Sequence, residues 1–284
     1  MTEMAVDAEL RVVRGPSALG GGWRRFFELL YLISVTEFKR TYFGTVLGYV
    51  WSLARPLIMY AVLLFVFTQI FRIGSGVTNY PEMLLFNIVL FTFFQEATTN
   101  AVTSVVGQES IVRKTQFPRL VIPMATVLTA AFNLGMNMIA VVIFMLAFGV
   151  SPTETWLLFP VILLALFVLT ATLSMLLSSL YVRFRDVAII WSVLGATLFY
   201  ASPVLYPFQP DVVPEKFYDI LLVNPLTILF VQARHWIIDP AAPDAVELAG
   251  GWLQLLPAFA VFALVCVLGV WIFNREAPRV AEEL

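Results

Sequence analysis

The sequence predicts an all-α polytopic membrane protein: six transmembrane helices, an N-terminal interfacial helix, and a re-entrant two-helix outer cap between helices 5 and 6. Three observations predict it. Hydrophobic residues fill 60% of the 284 positions and charged residues only 13%, with a mean hydropathy of +0.89, a balance that water-soluble chains do not carry. The apolar residues gather into runs long enough to cross a hydrocarbon core of roughly 30 Å. The basic residues collect on alternate connections between those runs.

Residues 1–22 mix acids, Gly and Pro with no apolar core, and read as a flexible cytoplasmic tail with no cleaved signal peptide. Residues 23–40 set Trp23, Phe26, Phe27 and Leu30 at helical spacing against Arg24, Arg25 and Glu28, an amphipathic interfacial helix. It is either a plain membrane-surface anchor or a functional gate. The membrane body runs over 46–274. Its first span, 46–71, contains Arg55 and Pro56; Arg55 lies near the start, where its long side chain snorkels to the headgroups. The second span, 83–106, carries Glu96 beside Gln95. A carboxylate at membrane depth has to face a partner or a wet cavity rather than lipid.

A charged stretch, Gly107 to Pro123 (GQESIVRKTQFPRLVIP), separates the second span from the third, 120–149. The fourth, 156–181, repeats Thr170, Ser174 and Ser178 every four residues, a small polar stripe suited to close helix contact. The charged turn Arg183-Phe184-Arg185-Asp186 leads into the fifth, 187–201. Residues 202–251 hold six acids, two bases and seven prolines, with two apolar pieces, 213–222 and 226–238, separated at Asn224-Pro225. Each is too short to cross a bilayer, so two helices that dip in and return fit best. A last span, 252–273, precedes a cytoplasmic tail, 275–284.

Orientation follows from charge. With both termini inside, thirteen Lys and Arg fall on inner segments against three (Arg72, Lys216, Arg234) outside, a strong positive-inside bias.

Composition also removes functions. One histidine, His235, and one cysteine, Cys266, cannot build a metal site or a disulfide, and no convincing Ser/His/Asp set assembles around the single histidine. The lysines follow Phe38, Arg113 and Glu215 rather than the Gly of a phosphate-binding loop, so the chain by itself is expected to hold no cofactor and hydrolyse no ATP. A net charge of -2 gives no footing for nucleic acid.

The segments LGYVWSLARPL (47–57), QESIVRKTQFPRLVIP (108–123), YVRFRDV (181–187), SPVLYP (202–207) and VNPLTILFVQARHW (223–236) follow in order along most of the chain. Together they resemble the ABC-2 type permease family, within it the exporters of polysaccharide and teichoic acid. The resemblance implies a bacterial plasma-membrane (inner-membrane) subunit that moves a lipid-linked glycan. It also implies partners: a second copy of the chain, two copies of an ATPase subunit that binds ATP and Mg, and membrane lipids. In that family the first cytoplasmic turn is a coupling helix seated in the ATPase. Carried over, it comprises Ser110, Ile111, Val112, Arg113, Lys114, Thr115, Gln116 and Phe117. Arg183, Arg185 and Asp186 form either a second contact or a self-paired turn.

The resemblance further implies a channel lined by aromatic rings that stack on sugars. Candidates are Tyr60, Phe67 and Phe71 on one face of the first span, Phe91 and Phe94 one turn apart on the second, and Phe199 with Tyr200 ending the fifth. Asn224 and Pro225 belong to the outer cap. The alternatives are a drug or small-lipid exporter of the same family, a gradient-driven secondary transporter using Glu96, and a structural scaffold.

Overall fold

The computed structural model describes residues 22–42, 48, 50–72, 77–108, 118–210 and 212–276. All regular elements among them are helical. They are α1 (Trp23–Tyr42), α2 (Val50–Phe65, ending in a π turn Val66–Ile70), α3 (Tyr80–Gly107), α4 (Val121–Ala147), α5 (Phe159–Arg183, entered by a 3-10 turn Glu154–Leu158), α6 (Val187–Ala201), α7 (Glu215–Leu222), α8 (Pro225–Ala233, ending in a π turn Arg234–Ile238), α9 (Ala245–Ala249) and α10 (Trp252–Glu276).

The core is α3. Apart from Pro81, every side chain from Tyr80 to Phe91 is buried, and burial continues on one face down to Val105. A helix enclosed by protein on all sides need not be apolar throughout. Along its enclosed length α3 accordingly carries Glu82, Asn87, Gln95 and Glu96.

That polarity bears on the span count. Four helices are both long and apolar enough to cross a membrane, namely α2 with its π turn, α4, α5 with its 3-10 turn, and α10; a fifth is added if α7 and α8 count as one span. The expected six are not reproduced on length and composition. At 28 residues α3 is about 42 Å long, but too polar. α6 is apolar but has 15 residues, about 22 Å, less than a bilayer core.

α3 and α5 run parallel. Phe86 meets Phe159 at 5.5 Å and Phe93 stacks on Phe167 at 6.4 Å, both numbers rising together along the two helices. Helical steps from these pairs carry Ala97 and Ala101 to face Thr170 and Ser174. All four are buried, as is Ser178, so the small polar stripe lies at a protein seam. The far side of α5 receives α10, where Gly269 sits directly against the Thr172 carbonyl. α6 packs antiparallel to α3 through Trp191 on Phe94 and Phe199 on Phe91.

α1 departs from the expected interfacial helix in what it packs against. Phe26 joins a cluster with Val121 and Ile122, the Ser34 hydroxyl donates to the Ala125 carbonyl, Phe38 meets Phe132, and Tyr42 reaches Asn133. The helix therefore climbs alongside the first half of α4. Periodicity marks the apolar face of an amphipathic helix, not the surface that covers it.

The expected break at Asn224-Pro225 is present, and the helices on either side meet at 94°. Pro225 opens α8, and Asn224 caps it by accepting from the Leu226 amide at 3.0 Å. Helix α9 was not expected. Asp244 caps it, accepting from the Glu247 amide at 2.7 Å, and Gly250 closes it at φ 75°.

The Gly269 contact yields a prediction. A side chain there collides with backbone rather than a movable side chain, so Gly269→Leu should cost about 1–3 kcal/mol and lower the unfolding temperature in detergent. Gly135→Leu, where an added Cβ meets open space, should leave that temperature nearly unchanged.

Candidate functional site

The described residues that flank or form the basic turns lie at one end of the bundle. Val105 at the end of α3, Val121 and Ile122 at the start of α4, Val182 at the end of α5 and Phe26 at the start of α1 form one hydrophobic cluster. Phe273 near the end of α10 packs with Met175, Leu120 and Met124 close by. Arg24, Arg25, Arg119, Arg183, Arg185 and Arg275 thus share this end, while Tyr80 and residues 202–251 share the other. The alternation read from charge is the alternation of the helices.

The expected coupling residues Ser110, Ile111, Val112, Arg113, Lys114, Thr115, Gln116 and Phe117 lie outside the described residues. Their flanks are clear. α3 runs to Gly107, and α4 begins with a turn in which the Val121 amide donates to the Pro118 carbonyl at 2.9 Å. Arg119 is buried there.

The second turn is exposed from Arg183 to Asp186. Arg183 stacks over Phe184 and Arg185 over Tyr181, at 5.5 and 5.0 Å. Among the described residues no ion pair joins either arginine to Asp186. The turn is therefore not self-paired, and its guanidiniums face outward, held by aromatic rings.

Glu96 meets the condition set for it. Asn133 donates to Glu96 Oε1 at 2.7 Å, the Tyr42 hydroxyl donates to Asn133 Oδ1 at 2.8 Å, and Asn137 donates to the Asn133 carbonyl at 2.8 Å. A small cavity lies between Glu96, Asn133, Asn137 and Thr92. Arg55 is exposed and within electrostatic reach of Glu96, so it serves the same cluster. Sequence reasoning missed Asn133, Asn137 and Tyr42; the signal was two asparagines at i, i+4 inside an apolar run.

The aromatic candidates separate. Tyr60 packs edge-on to Phe144, and Phe91 and Phe94 touch each other inside the core, with Phe94 only 1% exposed. They are interior packing residues of the protomer. Phe71 and Tyr200 are 62% and 67% exposed, and Phe67 and Phe199 are half-buried against them at 5.7 and 5.3 Å. Among these candidates the accessible aromatic faces are therefore at the ends of α2 and α6 away from the basic residues.

At the outer end, His235 Nδ1 lies 2.6 Å from the Ala242 carbonyl. Arg234 is buried with Asp239 at 4.0 Å.

A parallel central pair, charged turns at one end and a broken helix pair at the other form the setting for one comparison. The sequence profile of the ABC-2 type transporter family matches residues 28–237. The chain belongs to the ABC-2 type transporter family. The match takes in most of α1, both basic turns and the broken pair up to the π turn of α8. Two proteins of Klebsiella pneumoniae, each an "O-antigen export system permease protein RfbA", are 29% identical over 259 residues, 91% of this chain and 95% of theirs. The protein of the same name from Myxococcus xanthus is 27% identical over 249 residues, 87% of this chain and 93% of its own. As an ABC-2 transporter, the chain is a multi-pass membrane protein whose helix bundle is the transporter's membrane component.

The Glu96 cluster makes its own prediction. Asn133→Leu leaves a carboxylate without its donor and should cost about 1–3 kcal/mol. Tyr42→Phe removes a peripheral hydrogen bond and should cost about 0.6 kcal/mol. Unfolding in detergent, monitored by circular dichroism, measures both.

Proposed function

We propose that the chain is the membrane half of an ATP-driven exporter of a lipid-linked polysaccharide in the bacterial inner membrane. The observation that carries this reading is a family match joined to near full-length similarity with proteins named as O-antigen export permeases. A long polymer that leaves the cell needs a continuous path. A chain without a recognisable phosphate-binding loop needs a separate motor, which supplies ATP hydrolysis with Mg. Two copies of the chain and two ATPase subunits make that assembly.

In this reading all of α2, α3, α4, α5, α6 and α10 cross the bilayer, with both termini cytoplasmic. The short α6 is accommodated by local thinning or tilt, and the polar α3 by its enclosure in protein. The pair α7–α8 folds back as a re-entrant cap. The basic end faces the cytoplasm, so the motor grips residues 110–117 and the outward-facing Arg183 and Arg185. Phe71 and Tyr200, with Phe67 and Phe199 behind them, offer flat apolar faces to pyranose rings. Such stacking needs no particular hydroxyl pattern, which suits a sliding polymer. The glycan names of the relatives favour this over a drug or small-lipid exporter.

Three measurements test it. Purified chain and ATPase in proteoliposomes should transport only with ATP, and Arg113→Glu combined with Lys114→Glu should reduce coupled ATP hydrolysis by about tenfold or more. Normal hydrolysis and transport in that double variant would remove the handle from those residues. Glu96→Gln should leave ATP-dependent transport in place; transport driven by an ion gradient without ATP, abolished by Glu96→Gln, would instead identify a secondary transporter. Finally, Tyr200→Ala should slow polymer passage with stability unchanged, whereas Phe94→Ala should cost about 3–5 kcal/mol of stability.

A further inference from the structure

We propose that Asn79, Thr155 and Trp156 are positioning residues that clamp the outer cap onto the α3–α5 pair, so that the cap moves as one body with the basic ends of those two helices. This rests on the ATP-driven reading above. The π turn that ends α8 leaves its last carbonyls without intrahelical donors, and three consecutive ones are taken by side chains from outside the cap. The Trp236 carbonyl accepts from the Thr155 hydroxyl, the Ile237 carbonyl from Trp156 Nε1 at 2.9 Å, and the Ile238 carbonyl from Asn79 Nδ2 at 3.2 Å. Ile237 and Ile238 are buried, so water does not replace these donors.

The donors come from the two helices of the central pair. Asn79 is the N-cap of α3, held at φ 54°, a left-handed conformation that asparagine tolerates better than most residues. Thr155 and Trp156 lie in the turn that opens α5. A second set of bonds fastens the segment before the cap to α3. The Tyr80 hydroxyl donates to the Leu205 carbonyl at 2.7 Å, and Asn87 donates to the Pro203 carbonyl at 2.9 Å. Asn224, at the break of the cap, donates to the Ser202 hydroxyl of that segment at 2.9 Å.

The other ends of the same two helices are the basic end. α3 is unbroken to Gly107 and leads into residues 108–120, and α5 is unbroken to Arg183 and leads into the second turn. Aromatic stacking and small buried residues lock the pair along its length. α2 and α6, by contrast, expose most of their surface. A push at the basic end of either helix therefore reaches the cap through packed helix, while α2 is free to shift beside it; α6 stays with α3, held by Trp191 and Phe199. Packed elements move as bodies rather than deforming continuously.

The test uses the full chain with its ATPase in proteoliposomes, in a Cys266→Ala background, with spin labels in one copy of the permease. Label pairs are Lys216→Cys with Gly107→Cys, and Lys216→Cys with Val62→Cys. Between nucleotide-free and ATP-trapped states, the first distance should stay constant and the second should change. A change in the first as large as in the second overturns the clamp while leaving ATP-driven transport standing. A chain in which neither distance responds to ATP overturns both readings.

The clamp itself is broken by Asn79→Gly, which keeps the left-handed backbone, together with Trp156→Phe. Transport should fall by about tenfold with ATP hydrolysis retained, and the first distance distribution should broaden. Thr155→Ser, which keeps the hydroxyl, should behave as wild type. Normal transport and an unbroadened distance in the double variant, or in Trp156→Phe alone if the double variant does not fold, overturns the proposal.

Discussion

A bilayer interior supplies no hydrogen-bond partners, and this chain meets that constraint by surrounding one polar helix with apolar ones. α3 carries two acids, Asn87 and Gln95, which would be costly against lipid. Enclosed by α4, α5 and α6, three of its polar side chains find partners elsewhere in the fold. Glu96 takes Asn133, Asn87 takes the Pro203 carbonyl, and Tyr80 takes the Leu205 carbonyl. These partners belong to two other parts of the fold, so satisfying α3 also fixes α4 and the outer segment in place. The surrounding helices can then be nearly pure hydrocarbon, as α10 is.

The same enclosure explains what was legible in the sequence. The five apolar runs outside α3 fall where helices are found, because lipid exposure demands apolarity and leaves a mark in composition. The break at Asn224-Pro225 was legible because proline lacks the amide that would continue the helix. The gathering of basic residues was legible too: they cluster at one end of the bundle, as the hydrophobic contacts of Phe26, Val105, Val121 and Val182 require.

What was not legible concerns partners. Trp23, Phe26 and Phe27 announce an amphipathic helix, but nothing in their spacing says that Phe26 docks on Val121 while Trp23 and Phe27 stack on each other outside. Phe91 and Phe94 share a face with no sign that α6 covers it. With aromatics at 14% of the chain, position alone cannot separate a lining ring from a packing ring. The polar residues were the better guide. Asn133 and Asn137 at i, i+4 in an otherwise apolar span have few reasons to be there except a buried partner, and Asp244 with Glu247 three residues on was a legible cap for α9.

Arg183 and Arg185 show what geometry adds to a charged turn that composition leaves ambiguous. A turn reading Arg-Phe-Arg-Asp can neutralise itself. Here the guanidiniums lie over Phe184 and Tyr181, and Asp186 stands at the start of α6 with its backbone carbonyl accepting from the Ile190 amide at 2.9 Å. Stacking on a ring orients a guanidinium without consuming its hydrogen bonds, whereas an ion pair would consume them. The turn therefore keeps its donors. Because it continues α5, and α5 is locked to α3 along its length, a load on the turn is carried by both helices of the central pair.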